Sequence, residues 1–183
     1  MGTIRSVFNQ AMAEYNKEEL DIIKIKYSPF GKGKYLIPKE PTPEKRAISL
    51  SKLYSLGEVD TSTDQLAELA QDMFMLSFYL CGMNSADLFY CNTLKNGRII
   101  YERKKTRTRR KDKAKISVKV PKEARLLFNK YKDPSNTRIF NFHYSFTNSD
   151  TFNANINDGL KIIGSKIGVD KLQYYAARHT FAT

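Results

Sequence analysis

Cysteine is scarce in this chain and nowhere placed to ligate or cross-link. Only Cys81 and Cys91 occur among 183 residues, with no CxxC pair and no Cys/His companion, so the sequence offers neither a zinc site nor a disulfide framework. Both lie in apolar surroundings and read as small buried side chains in a reducing, cytoplasmic compartment. Carboxylates form no DxD or HExxH arrangement, which leaves metal-dependent nuclease chemistry without ligands. No glycine-rich loop runs into Lys-Ser or Lys-Thr, which argues against an NTPase. No apolar run approaches the length of a bilayer span, the N-terminus lacks the apolar core of a signal peptide, and no internal repeat or low-complexity tract occurs.

What is present is positive charge, concentrated in one place. The net charge is +12, from 31 basic and 19 acidic residues. The stretch Arg103–Lys115 (RKKTRTRRKDKAK) holds nine basic residues and one acid, and so carries +8 of that total. Such a strip attracts a polyanion. It has no apolar companion face of the kind an interfacial helix needs, which favours nucleic acid over a membrane surface. Nine cations packed into one short segment also repel one another unless a counter-charge lies alongside. Arg103, Lys104, Arg107, Arg109, Arg110 and Lys111 are the expected backbone-contacting residues.

The pattern elsewhere predicts a mainly α chain with a small antiparallel β-sheet, an α+β class. Residues 3–19 place Ile4, Val7, Phe8, Met12 and Tyr15 on one helical stripe with nothing adjacent to pack on. Residues 1–28 therefore read as the last helix of a preceding domain, 29–43 (rich in proline and glycine) as a linker, and 44–183 as a second domain. Ser49 is placed to cap a helix over 50–56 with Leu50 and Leu53 inward. Ser62 and Gln65 have capping-box spacing before a helix over 63–80, apolar on most faces and so expected to be central. Gly82 can end that helix, and Asn84 can cap a short one over 85–91.

Asn96-Gly97 signals a tight turn; RIIYER after it and KISVKV over 115–120 have strand character, placing the basic run inside a hairpin. Pro121 suits the first position of a further helix, and 148–168 predicts another with Phe152, Ile156, Leu160 and Ile163 inward. His143, within FNFHYSF, reads as a satisfied, semi-buried histidine. The last stretch, YYAARHTFAT, is an apolar helix that leaves Arg178 in need of an anionic partner.

Taken in order, several of these segments resemble the tyrosine recombinase (phage integrase) family. FMLSFYLCGMNSADLFYC is similar to the family's first box, an apolar helix followed by TGLRxSEL. RIIYERKKT resembles the hairpin that bears the catalytic lysine, ISVKVPKEARLLFNKY the strand and helix after it, and YYAARHTFAT the second box, HxLRHTFAT. The first helix resembles the end of the family's core-binding domain. The resemblance implies the catalytic-domain fold of DNA breaking-rejoining enzymes. It also implies a phosphate-holding role for Arg178 and a general-acid role for Lys105, with Lys104 as the alternative.

Two positions depart from the family pattern. Asn84 stands where the first arginine belongs and Tyr175 where histidine belongs; Arg103 is the expected compensating arginine. The family's third box and nucleophilic tyrosine lie beyond Thr183, so the chain reads as a C-terminally truncated recombinase. The implied chemistry is attack of that tyrosine on a phosphodiester, giving a 3′-phosphotyrosyl bond and a free 5′-hydroxyl, with no metal or cofactor. The implied partners are a double-stranded DNA attachment site and, in the full protein, three further copies forming a tetramer. Residues 1–183 alone are expected to bind DNA without cleaving it. The alternative is a non-catalytic DNA-binding protein that retains the recombinase fold.

Overall fold

The computed structural model describes residues 2–30, 46–104, 108 and 114–183. The chain divides into two compact units, Met1–Glu44 and Lys45–Thr183. Apart from Pro29 and Phe30, the expected linker 29–43 lies outside the described residues.

In the first unit, helix α1 (Gly2–Tyr15) is followed by a tight return held by one side chain. Asn16 donates through Nδ2 to the Ile25 carbonyl and accepts the Ile25 N–H on Oδ1, both at 2.9 Å. A bridge between Lys17 and Ile22, with Asp21 at φ 55°, makes the turn inside that clamp. Phe8 meets Phe30 edge-on at 5.9 Å. Ile4, Val7 and Tyr15 on the predicted stripe remain exposed.

The second unit is mixed α and β. Its described helices are α2 (Leu50–Glu58), α3 (Gln65–Tyr79), α4 (Ser85–Tyr90), α5 (Arg125–Lys130), α6 (Ser149–Ile167) and α7 (Tyr175–Phe181). Strands β1 (Thr93–Lys95), β2 (Arg98–Glu102) and β3 (Lys115–Lys119) form an antiparallel sheet in the order β1-β2-β3. Helix α3 lies at the centre, packed on α2, α5, α6 and α7. Ala67, Ala70, Met73, Phe74 and Leu76 are fully buried along it, as its apolar sequence predicts. Phe152, Ile156, Leu160 and Ile163 of α6 are equally buried, a stripe at helical spacing turned onto α3. The two helices approach closely at Gly159, where an added Cβ would lie 2.3 Å from the Leu66 carbonyl oxygen.

Ser49, Asn84 and the Asn96-Gly97 turn act as read, and Asn148 and Gly168 bound the helix predicted over 148–168. Ser49 Oγ accepts the Lys52 N–H, and Asn84 and Asn148 cap α4 and α6 through their side-chain oxygens. Gly168 closes α6 at φ 66°, where Lys52 Nζ donates to the Ile167 carbonyl and sets a cation at the negative end of that helix. Asn96 and Gly97, both at positive φ, make the two-residue turn joining β1 to β2.

Other readings are corrected. Asp64, not Ser62, caps α3, because its carboxylate reaches the N–H groups of Leu66 and Ala67. Leu50 points outward, and Leu53 and Leu56 carry the buried face of α2. Pro121 does not open α5; a turn from Pro121 to Ala124 precedes a helix starting at Arg125. Thr93–Lys95 is a third strand, too short to show a period. Cys81 is exposed and at positive φ, whereas Cys91 is buried, and burial pushes its thiol far above the ordinary range.

Core aromatic rings continue from one to the next toward the sheet. Phe128 meets Phe140, Phe140 stacks on Phe142, and Phe142 stacks on Phe152 at 4.5 Å. Phe152 then contacts Phe89, whose ring meets Tyr90 edge-on. The loop after α5 is tied by Asp133, whose side chain is fully buried. Burial alone would raise its carboxyl. The N–H groups of Arg138 and Ser135, with the hydroxyls of Ser135 and Tyr144, outweigh that and hold it well below the carboxylate range. His143 Nε2 lies 3.9 Å from the same carboxylate, and its Nδ1 has no hydrogen-bond partner among the described residues, so this histidine is only half satisfied.

A carboxyl depressed by folding adds stability above its unfolded pKa near 4 and loses it as pH falls toward the folded value. Asp133→Asn is therefore expected to lower the thermal midpoint at pH 7. The gap to the parent should shrink as melts are repeated from pH 4 downward.

Candidate functional site

The site is assembled where α7, the end of α3, α4 and the base of the β2–β3 ladder meet. Helix α7 is anchored at its start by Tyr174, which is buried, donates its hydroxyl to the Met83 carbonyl (2.8 Å) and donates its backbone N–H to Asn157 Oδ1 (2.9 Å). Thr180, buried one and a half turns later, accepts the Ile48 N–H on Oγ1 at 3.0 Å. Burial pushes the Tyr174 phenol far above its usual range, which makes it a structural post and a poor nucleophile.

Between these anchors Arg178 leaves the helix over the turn that ends α3. Gly82, at φ 71°, donates its N–H to the Ser77 carbonyl (2.8 Å), and its own carbonyl accepts from the Arg178 guanidinium at 3.3 Å. A Cβ at Gly82 would stand 2.7 Å from the Arg178 Cα. Glycine is required twice here, by its dihedral and by the backbone lying on it. Among the described residues the guanidinium makes one long bond and stays partly accessible, so most of its donors are open to a further acceptor.

Asp87, one turn into α4 from its Asn84 cap, is the buried carboxylate of the site at 5% exposure. Burial raises its carboxyl; the Lys104 N–H (3.1 Å) and the charges of Arg103, Arg178 and Lys104 oppose that rise. Three cations from two distant parts of the chain thus bear on one acid. Tyr101 of β2 feels the same neighbours: burial and Asp87 push its phenol up to about 12, against Arg178 and Arg103. Arg103 donates its N–H to the Ala114 carbonyl at 3.1 Å, extending the β2–β3 ladder to both ends of the basic run.

Lys104 is placed by two contacts. Its N–H holds Asp87, and its ammonium sits over the Tyr90 ring, 3.1 Å from the centroid. On Tyr90 and Phe89 also rests the Arg138 guanidinium, 5.0 and 4.8 Å from the ring centres, tied to the Phe89 carbonyl at 3.0 Å. Tyr90 therefore ends the core's aromatic series with cations stacked on it. A cleft of about 590 Å³ opens here, lined among others by Asp87, Tyr90, Tyr101, Lys95, Lys104 and Lys115.

Of the residues singled out from the sequence, Arg178, Arg103 and Lys104 come together around Asp87. Asn84 lies on the same short helix, with its oxygen engaged by the Ala86 N–H and the Ser85 hydroxyl. Tyr175 is 40% exposed, its ring edge-on to His179 at 4.7 Å. Lys105, Arg107, Arg109, Arg110 and Lys111 lie outside the described residues. Asp87, Tyr90 and Arg138 were not foreseen. The spacing of Asn84 and Asp87, three apart after a cap, was the available signal for the first of them; nothing local marked the other two.

Among the described residues no cluster of His, Cys, Asp or Glu is arranged to hold a metal, and no helix is long and apolar enough to cross a membrane. Comparison of the chain with family models, with curated proteins and with solved structures finds no match to any of the three.

Proposed function

We propose that this chain is the DNA-binding and phosphate-holding part of a tyrosine-type site-specific recombinase, acting on a double-stranded attachment site in the cytoplasm. The observation that carries the reading is the convergence of Arg178, Arg103 and Lys104 on the buried Asp87, at the root of the basic segment. A planar guanidinium with free donors suits the non-bridging oxygens of a scissile phosphate, where charge grows during phosphoryl transfer. Asp87 bears one negative charge against the three positive charges that act on it. The Lys104 ammonium rests on the Tyr90 ring, and the general-acid role is assigned to Lys105. In this reading the polypeptide 1–183 binds duplex DNA. A tetramer on DNA belongs to the same reading.

The test is a nicked suicide duplex carrying the attachment site, incubated with the full-length protein. An SDS-resistant protein–DNA adduct that is lost on Lys105→Ala supports recombination. Arg103→Ala is expected to cut adduct yield about tenfold, since Arg103 supplies charge that Asn84 lacks; unchanged yield removes Arg103 from the compensating role.

One observation favours the second reading, a non-catalytic DNA-binding protein of the same fold. The Asn84 oxygen is spent on capping α4, and an amide offers no charge to a transition state. That reading expects salt-sensitive duplex binding and no adduct from the full-length protein on a verified site.

A further inference from the structure

Lys104, the second residue of the basic segment, is held at two points by α4. The Asp87 carboxylate accepts its N–H at 3.1 Å, and the Tyr90 ring carries its ammonium 3.1 Å from the centroid. Asp87 and Tyr90 are three apart on one helix, so both anchors come from the same face. One fixes the backbone of Lys104, the other the direction in which its side chain leaves. A helix of six residues is too short to hold a ring still alone. The loop after α5 supplies the brace. The Arg138 guanidinium lies 5.0 Å from the Tyr90 ring centre and donates to the Phe89 carbonyl at 3.0 Å. Its backbone N–H donates to the buried Asp133 carboxylate at 2.9 Å, and the N–H of Ile139 donates to the Cys91 carbonyl at 2.9 Å. The residues on either side of Tyr90 are thus both tied from outside the helix.

Resting on the recombinase reading, we propose that Tyr90 is a positioning residue for the general-acid step. In that step Lys105 protonates the 5′-oxygen as its bond to phosphorus breaks and the tyrosyl bond forms. The Tyr90 ring holds Lys104, and so fixes where the basic segment, with Lys105 next along the chain, begins relative to Arg178. Nine cations in one segment repel one another, which opposes any single placement without an anchor. A general acid must come within hydrogen-bond reach of the leaving oxygen, and a small displacement costs rate more than affinity. The rival role for Tyr90 is plain packing, as a half-buried ring against Phe89. Packing needs the ring's bulk, whereas holding Lys104 needs its π face. Leucine keeps the first and removes the second; phenylalanine keeps both.

The test has two readouts, amide hydrogen exchange in the chain itself and adduct formation by the full-length protein on the suicide duplex. Tyr90→Leu should speed exchange of the Lys104 N–H about fivefold, with Tyr90→Phe at the parent rate and the core amides of α3 protected in both. At saturating duplex, Tyr90→Leu should slow adduct formation about tenfold with affinity nearly unchanged, and Tyr90→Phe should restore it. Lys104 is exposed, so Lys104→Gln removes the same contact without touching the core. It should match Tyr90→Leu, and the double variant should fall no further, because each substitution loses one shared contact. Unchanged exchange at Lys104, equal losses in Tyr90→Phe and Tyr90→Leu, or additive effects of the two substitutions overturns the assignment. So does an adduct rate that follows duplex affinity alone. Absence of adduct from the parent on a verified site removes the recombinase reading and the role together. An adduct indifferent to Tyr90→Leu removes the role alone.

Discussion

Arg178→Ala in the full-length protein is expected to lower covalent adduct formation on a suicide duplex by about 10²–10³-fold, the scale of losing one preorganised donor to a developing oxyanion. Duplex affinity should change far less, because in the proposed reading the basic segment would supply most of the contacts to the backbone. Arg178→Lys should recover only part of the loss, since an ammonium cannot match a planar two-donor fork. The comparison separates chemistry from folding. Among the described residues Arg178 donates one 3.3 Å bond, to the carbonyl of buried Gly82, so a melt of the variant measures how much of any loss is folding. Equal loss of binding and adduct would make Arg178 an ordinary phosphate contact. Retained adduct would remove it from the site.

The second large effect concerns stability. Gly159→Ala is expected to destabilise the second unit by about 3 kcal/mol, a fall of about 10 °C in thermal midpoint for a domain of this size. Alanine normally favours a helix over glycine by about 1 kcal/mol, so helix propensity alone predicts the opposite sign. The added methyl would meet the Leu66 carbonyl at 2.3 Å and the Ala70 Cβ at 2.6 Å. A backbone oxygen within a helix cannot rotate aside as a side chain can. Relief requires α3 and α6 to separate along a face that includes Ala67, Ala70, Phe152, Ile156 and Leu160, all fully buried. A melt showing Gly159→Ala as stable as the parent would mean that the two helices do not approach as described.

Most helices were legible because their signals are local. Asn84, Asn148 and Gly168 act on groups within a turn of themselves, and the stripe from Phe152 to Ile163 needs only a helical period. Errors arose where one local signal competed with another. Ser62 and Asp64 are both capable caps, and the carboxylate that reaches two N–H groups at once prevails. Leu50 fits an inward stripe by spacing, but in the first turn of α2 no neighbour covers it.

The site divides along the same line. Arg178 was visible because an apolar helix made its charge conspicuous. Asp87, Tyr90 and Arg138 act through partners on other elements, such as the Lys104 N–H on Asp87 and the Arg138 guanidinium over Tyr90. No residue within a turn of Tyr90 distinguishes it from any other half-buried tyrosine. Its meaning comes from which cations the sheet and the loop after α5 set upon it.

The contact between Gly82 and the Arg178 backbone also limits how this protein can vary over evolutionary time. Position 82 admits no side chain while α7 lies where it does, and α7 cannot shift while Tyr174 and Thr180 hold both its ends. A lineage cannot retune the guanidinium by sliding its helix in small steps, because each intermediate would carry a clash. Diversification is left to residues that reach in from α4 and the hairpin, which can be exchanged one at a time. Asparagine at 84 and the arginine at 103 are where such exchange would be recorded.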